Sequence, residues 1–416
     1  MKTFFDIDRF KEILDTLSRN RSRTLLTGFG IFWGVFMLLA LTGGSQGLKD
    51  LLLNNFKGFA SNSGFYIPTQ TSRPYKGFQR GREWKMDLSD IDAIKAQVPG
   101  VDAVAPVGMR WGAVAVYGDR TYDGNFKGIT MDYYSIETPK IKFGRPLNQM
   151  DMEDERKVCV LGKRPWEELF PGGEDPCGEF VKVGGVFYQV VGVDFSESSI
   201  SVGAPPDWTI TTPLKVFNKL YGKGDEVEFF GFTAKEGWRV KTLFKEVNDI
   251  LARRHYFDPA DDVASVTVNS ESIFTMMDNL LKGVDIMILL IGLGTLLAGA
   301  IGVSNIMMVT VKERTSEIGI RRAIGATPKM ILSQIIKESI VLTLTAGALG
   351  IMFTVLILSG AELAATKDGV LTAAFQIKFW TAIGAVAVLT VLGVLAGLAP
   401  AMRAMSIKPV DAMRDE

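Results

Sequence analysis

The chain has one histidine, His255, and two cysteines, Cys159 and Cys177, in 416 residues. That excludes the His/Cys clusters of a typical zinc, iron-sulfur or haem site. A G-x-x-x-x-G-K-[ST] phosphate loop is also missing: Gly222, Gly224 and Asp225 around Lys223 have neither the spacing nor the hydroxyl. If ATP powers this chain, a separate chain must bind it. Lys plus Arg and Asp plus Glu number 46 each. The balance removes the excess positive charge expected of a nucleic-acid binder, so no nucleic-acid partner is expected.

What is present is length without charge. Four runs carry no Asp, Glu, Lys or Arg: Thr24 to Leu48 (25 residues), Ile286 to Val311 (26), Ser339 to Ala361 (23) and Phe379 to Met402 (24). Each exceeds the roughly 20 residues that a helix needs to cross a hydrocarbon layer about 30 Å thick. The lack of Asp, Glu and Lys inside them argues against the buried charge relay of a proton-driven transporter. Lys337 and Glu338, at the edge of the third run, read as snorkelling boundary residues.

The sequence divides into an amphipathic helix over 1–23, spans over 24–44, 284–311, 339–361 and 379–399, outer segments 45–283 and 362–378, an inner loop 312–338 and an inner tail 400–416. Within 1–23, Phe10, Ile13, Leu14 and Leu17 follow helical spacing among six basic and four acidic side chains. A cleaved signal peptide is the competing reading; the four acids, and the lack of a small-x-small site after the run, weigh against it. Sidedness follows from Lys312, Arg314, Arg321, Arg322 and Lys329 in the inner loop, against Lys367 and Lys378 in the short outer one. Both termini are therefore expected inside, with membrane lipid around the spans.

The large outer segment mixes patterns. Leu88 to Val98 reads as a helix capped by Asp87 or Ser89, and Phe217 to Tyr221 and Trp238 to Arg254 add helical periodicity. Ala113 to Tyr117, Lys157 to Leu161, Phe180 to Val183, Tyr188 to Val193 and Ala264 to Val268 read as short strands between glycine turns. The expected fold is an α+β domain inserted between the first and second of four transmembrane helices, in two lobes. Leu48, Leu51, Leu52, Asn55 and Phe56, and Ile273, Phe274, Met277, Leu280 and Leu281, continue helical spacing outward as a stalk.

In the inner loop Glu317 stands four residues before Arg321, the favourable acid-before-base order. Gly325 is placed to end that short helix, and Thr327 followed by Pro328 to cap the next. A solvated basic loop is the plain alternative to a helix that docks a partner. Residues 313–326 read ERTSEIGIRRAIGA. This resembles the pattern E-R-T-x-E-I-G-I-R-[KR]-A-[IL]-G-A of the MacB-like and FtsX-like permeases, the type VII or mechanotransmission ABC transporters of the macrolide-exporter and lipoprotein-release branch. Further stretches agree in order along the chain: VPGVDAVAPV at 98–107, FKGITMDYYSI at 126–136, FGRPLN at 143–148, LARRH at 251–255 and PAMRAMSIKPVDAMR at 400–414.

The resemblance implies a permease of the inner (cytoplasmic) membrane with its large domain in the periplasm, and no catalysis of its own. Glu313, Arg314, Glu317, Gly319, Arg321, Arg322 and Gly325 take the role of coupling to an ATPase. It further implies a separate ABC ATPase subunit holding ATP and Mg, a second permease copy or related permease, and a periplasmic adaptor with an outer-membrane channel. Efflux of small amphiphiles or peptides, lipoprotein release, and signalling or control of a cell-wall hydrolase are the functions in contention.

Four more groups of residues are candidates for packing or chemistry. Gly292, Gly294, Gly299 and Gly302 in the second span suit close helix packing, within the chain or at a dimer seam. His255 after two arginines suits a helix end, and Asp261 and Asp262 a turn, better than catalysis. Cys159 and Cys177 lie 18 positions apart in the outer domain. They either form a disulfide, which that compartment permits, or remain reduced.

Overall fold

The computed structural model describes residues 21–54, 56, 58–196, 201–367, 370–371, 374–377 and 379–407. Most of the expected amphipathic helix over 1–23, and the tail from residue 408, lie outside the described residues. The chain forms two units, one of residues 1–51 and 279–416 and the other of residues 52–278.

The first apolar run becomes α1 (Arg21–Asn54), which continues past Leu48 as the stalk periodicity requires. The inserted domain then alternates short elements: β1 (Ser63–Pro68), β2 (Met86–Asp87), α2 (Leu88–Gln97), β3 (Val101–Tyr117), β4 (Arg120–Ile129), β5 (Ile141–Gly144), α3 (Gln149–Glu153), β6 (Val158–Gly162) and α4 (Lys163–Leu169). It continues through β7 (Phe180–Val183), β8 (Val186–Asp194), β9 (Thr209–Pro213), α5 (Leu214–Tyr221), β10 (Glu226–Val227), β11 (Phe229–Ala234), α6 (Val240–His255) and β12 (Ser265–Asn269). Helix α2 starts where expected because Asp87 accepts from the Asp90 amide while the Asp90 carboxylate accepts from the Asp87 amide, a capping box.

One ten-stranded sheet runs through this domain in the order β12-β1-β11-β3-β4-β9-β6-β8-β5, with β7 pairing both β3 and β8. The two anticipated lobes are thus two helix-covered regions of one sheet. Helices α2 and α6 bury Ile91, Leu243 and Leu251 against Tyr66, Phe230 and Phe232. Helices α4 and α5 bury Trp166 and Phe217 with Phe126 and Tyr188. The long β3 was expected only from Ala113. Its first half contains Pro106, which has no N–H to give a ladder; it lies just beyond the Val107–Ile129 pair where the β4 ladder ends.

The membrane unit is built from helices that are apolar over lengths sufficient to span. They are α1, α7 (Ser270–Glu313), α9 (Pro328–Ala365) and α10 (Phe379–Met405), with the nine-residue α8 (Thr315–Ala323) between α7 and α9. A small hairpin, Thr366–Lys367 with Val370–Leu371, occupies the loop before α10. Small residues set the helix spacing. A Cβ on Gly299 would stand 3.0 Å from the Gly30 carbonyl oxygen, so α7 and α1 meet backbone to backbone there. Gly294 and Gly302 have no neighbour within 4 Å of such a Cβ. The small-residue surface therefore serves contacts within the chain at Gly299 and at Gly292, where a Cβ would meet the Leu38 side chain, and is open at Gly294 and Gly302.

Candidate functional site

The loop between the second and third spans folds as one short helix tied down at both ends. Helix α7 stops at Glu313, and Arg314, at φ −99° and ψ 17°, turns the chain into α8. The other end closes as a Schellman motif: the Ala326 amide donates to the Arg321 carbonyl at 3.0 Å, and the Gly325 amide to that of Arg322 at 3.2 Å. Gly325 has φ +111°, a conformation that favours glycine. Thr327 takes the extended N-cap backbone of α9 with Pro328 in the first turn, but its hydroxyl makes no capping bond.

The side chains of this segment divide by direction. Ile318 is buried with Met307, Val311, Ile331 and Ile335 and Gly319 is buried beside it, so α8 packs against the membrane helices. Arg321 pairs with Glu317 at 2.8 Å, as the spacing predicts, and also donates to the Gln334 side chain at 3.0 Å. Arg314 reaches Glu338 at 3.4 Å. Arg322 donates to the Met405 carbonyl at 3.0 Å and to that of Ile407, at the end of α10 where free carbonyls attract a cation. Glu313 and Glu317 are exposed.

Glu338 is not a snorkelling residue: its side chain is 8% exposed and turns inward onto Arg314. The outward surface of the loop, moreover, is not chiefly charged. Ile320 is 47% exposed, Ile324 82% and Met330 59%, an apolar edge that the charge pattern concealed. The available signal was the i,i+4 spacing of Ile320 and Ile324 on a helix too short to hide both.

The remaining candidates are structural. His255 Nε2 lies 2.8 Å from Asp90 Oδ2, and Arg254 binds the other oxygen of the same buried carboxylate. Asp261 accepts from the Ser72 and Arg73 amides and from the Ser72 hydroxyl, holding a turn. Asp262 joins no such cluster among the described residues, where no group of His, Cys, Asp and Glu could hold a metal. Cys159 and Cys177 are both free thiols in this structure. Cys159 is buried among core side chains on β6 and burial pushes its pKa up, whereas Cys177 sits in the loop before β7, pushed up to about 12 by burial and by Asp175.

These anchors predict a pH dependence. Burial raises the pKa of Asp90, Asp151 and Asp261, but their hydrogen bonds outweigh it: to His255 and Arg254, to Arg145, and to Ser72, respectively. All three end below the usual carboxylate value. A folded pKa below the unfolded value of about 3.9 gives stability that is fully present above it and lost as pH falls. The thermal midpoint of the purified chain should therefore fall between about pH 5 and pH 3. Asp151→Asn should flatten that slope; an unchanged slope would show the Arg145 pairing contributes nothing.

Four spans, a folded domain after the first and a tethered helix after the second define a multi-pass membrane protein with an inserted domain. Residues 24–250 match the MacB-like periplasmic core domain and residues 289–409 the FtsX-like permease C-terminal region. The chain belongs to the MacB-like permease family. The macrolide export ATP-binding/permease protein MacB of Syntrophobacter fumaroxidans is 27% identical over 99% of this chain and 64% of its own length. The pyoverdine export ATP-binding/permease protein PvdT of Pseudomonas putida is 28% identical over 95% of this chain and 58% of its own length. The chain thus spans about six-tenths of the length of the curated relatives it matches. The crystal structure of the periplasmic region of MacB from Actinobacillus actinomycetemcomitans aligns with 55% of this chain and 98% of its own, at 19% identity and a TM-score of 0.43.

Proposed function

We propose that the chain is the permease subunit of an ATP-driven mechanotransmission exporter in the inner membrane. It takes force from a separate ABC ATPase through α8 and moves its periplasmic domain to expel small amphiphiles or peptides. The observation that carries this reading is the divided surface of α8. Arg314, Arg321 and Arg322 bind it to α9 and α10, while Ile320 stays half exposed and Ile324 largely exposed. A helix so fixed to its own spans and apolar on its free edge suits docking to a partner. ATP and Mg are held by that partner, and a second permease copy, an adaptor and an outer-membrane channel complete the assembly. The relatives' names, macrolide and pyoverdine export, support efflux over lipoprotein release.

Reconstitution in lipid tests this. The chain alone should hydrolyse no more ATP than empty vesicles, and with its ATPase it should drive ATP-dependent movement of an amphiphile. Robust hydrolysis by the chain alone contradicts the proposal. Capture of acylated protein by the periplasmic domain, with no amphiphile movement, would mark lipoprotein release instead.

A further inference from the structure

The five polar side chains between α7, α8 and α9 form a closed ring. Arg314 contacts Glu338 at 3.4 Å, Gln334 donates to Glu338 at 3.2 Å, Arg321 donates to Gln334 at 3.0 Å and pairs with Glu317 at 2.8 Å, and Glu317 returns to Arg314 at 4.0 Å. Glu317 and Arg321 are four residues apart on α8, and Gln334 and Glu338 are four apart on α9. Two helical turns therefore face each other through matched pairs. The ring borders a cavity of about 20 Å³, room for a single water among these polar groups. Its charges cancel: two arginines, two carboxylates and one amide.

The half of this ring on α9 was not among the residues the loop pattern singled out. Glu338 stands directly before the uncharged run beginning at Ser339, and a carboxylate that is 8% exposed there is costly unless paired and hydrogen-bonded. Removing it leaves Arg314, whose side chain is only 25% exposed, without its buried partner. Without the ring, the turn from Gly325 to Thr327 and the apolar packing of Ile318 against Ile331 and Ile335 are left to hold α8 to α9, with no directional polar tie between these turns.

We propose that Glu338 and Gln334 are positioning residues that clamp α8 to the first turns of α9, so that displacement of the docked helix is passed into the third span instead of being absorbed in the turn. This rests on the reading of α8 as the docking helix. Ile320 and Ile324 make the contact with the partner; the ring makes that contact felt in the membrane.

Amide hydrogen exchange on the full chain, with and without the ATPase that co-purifies with it, separates the two ideas. In the wild type, complex formation should slow exchange at least tenfold both in α8 and over residues 328–338. In Glu338→Gln the slowing in α8 should persist, while that over 328–338 should fall below twofold. Protein abundance in the membrane and thermal midpoint report a merely structural role and should not follow this split. Should Glu338→Gln fail to insert, Arg314→Gln/Glu338→Gln removes both charges together and should insert, again with α8 slowed and 328–338 not. Tenfold slowing of 328–338 in either variant, or no slowing there in the wild type while α8 is protected, overturns the clamp and leaves the docking reading intact. No protection of α8 in the wild type overturns the docking reading, and the clamp with it.

Discussion

Ile324→Asp is expected to abolish stable association of the chain with the ABC ATPase proposed as its partner while leaving the chain folded in the membrane. Ile324 is 82% exposed and follows the last turn of α8, so its replacement costs the fold little; surface changes away from packed features usually stay within about 0.5 kcal/mol. At a docking interface the same side chain would be buried on binding. Truncating a central apolar anchor there costs about 2–4 kcal/mol, roughly a 30- to 900-fold loss of affinity, and a buried unpaired carboxylate adds to it. Glu317→Ala sets the contrast, since an exposed i,i+4 pair is worth only about 0.3–0.5 kcal/mol to the helix. Pull-down at matched membrane abundance reads the difference. Wild-type association of Ile324→Asp would mean the apolar edge of α8 faces lipid and docks nothing.

Gly299→Leu should produce a large loss of stability in the membrane unit. The Cβ position already stands 3.0 Å from the Gly30 oxygen and 3.1 Å from the Gly30 carbonyl carbon, and neither backbone atom yields as a side-chain end would. The remaining leucine atoms force α1 and α7 apart, at about 1–3 kcal/mol for overpacking and more where backbone must shift. Gly302→Leu enters space with nothing within 4 Å and should leave the thermal midpoint of the single chain near wild type. The two variants also divide the roles of the glycines. If Gly302→Leu lowers only the proportion of dimer, the open position lies on the seam with a second copy. Equal midpoints for Gly299→Leu and wild type would contradict the close contact of α1 with α7.

The membrane plan was legible because a bilayer imposes a length on uncharged sequence, and Thr24 to Leu48 and the three later runs meet it without help from tertiary context. The cap of α2 was equally local, since Asp87 and Asp90 need only each other. The strands were less so. The alternation from Ala113 to Tyr117 was visible, but β3 extends back through Pro106 to Val101 because β11 pairs with it there from more than 120 positions away. In the site, the Glu317–Arg321 pair follows from helical spacing alone. The inward turn of Arg314 and Arg322 does not, because their partners Glu338, Met405 and Ile407 arrive from other helices. Charge in a loop at a membrane edge suggested exposure, and the structure spends much of it on anchoring α8, leaving isoleucines outside.

Affinity capture of the intact chain from its native membrane tests the central claim most directly. The account predicts an ABC ATPase in near-equal amount with the wild-type chain, retained by Glu317→Ala at a reduced level and absent from Ile324→Asp. A capture that contains no ATPase, or one whose ATPase content is the same for wild type and Ile324→Asp, would contradict it.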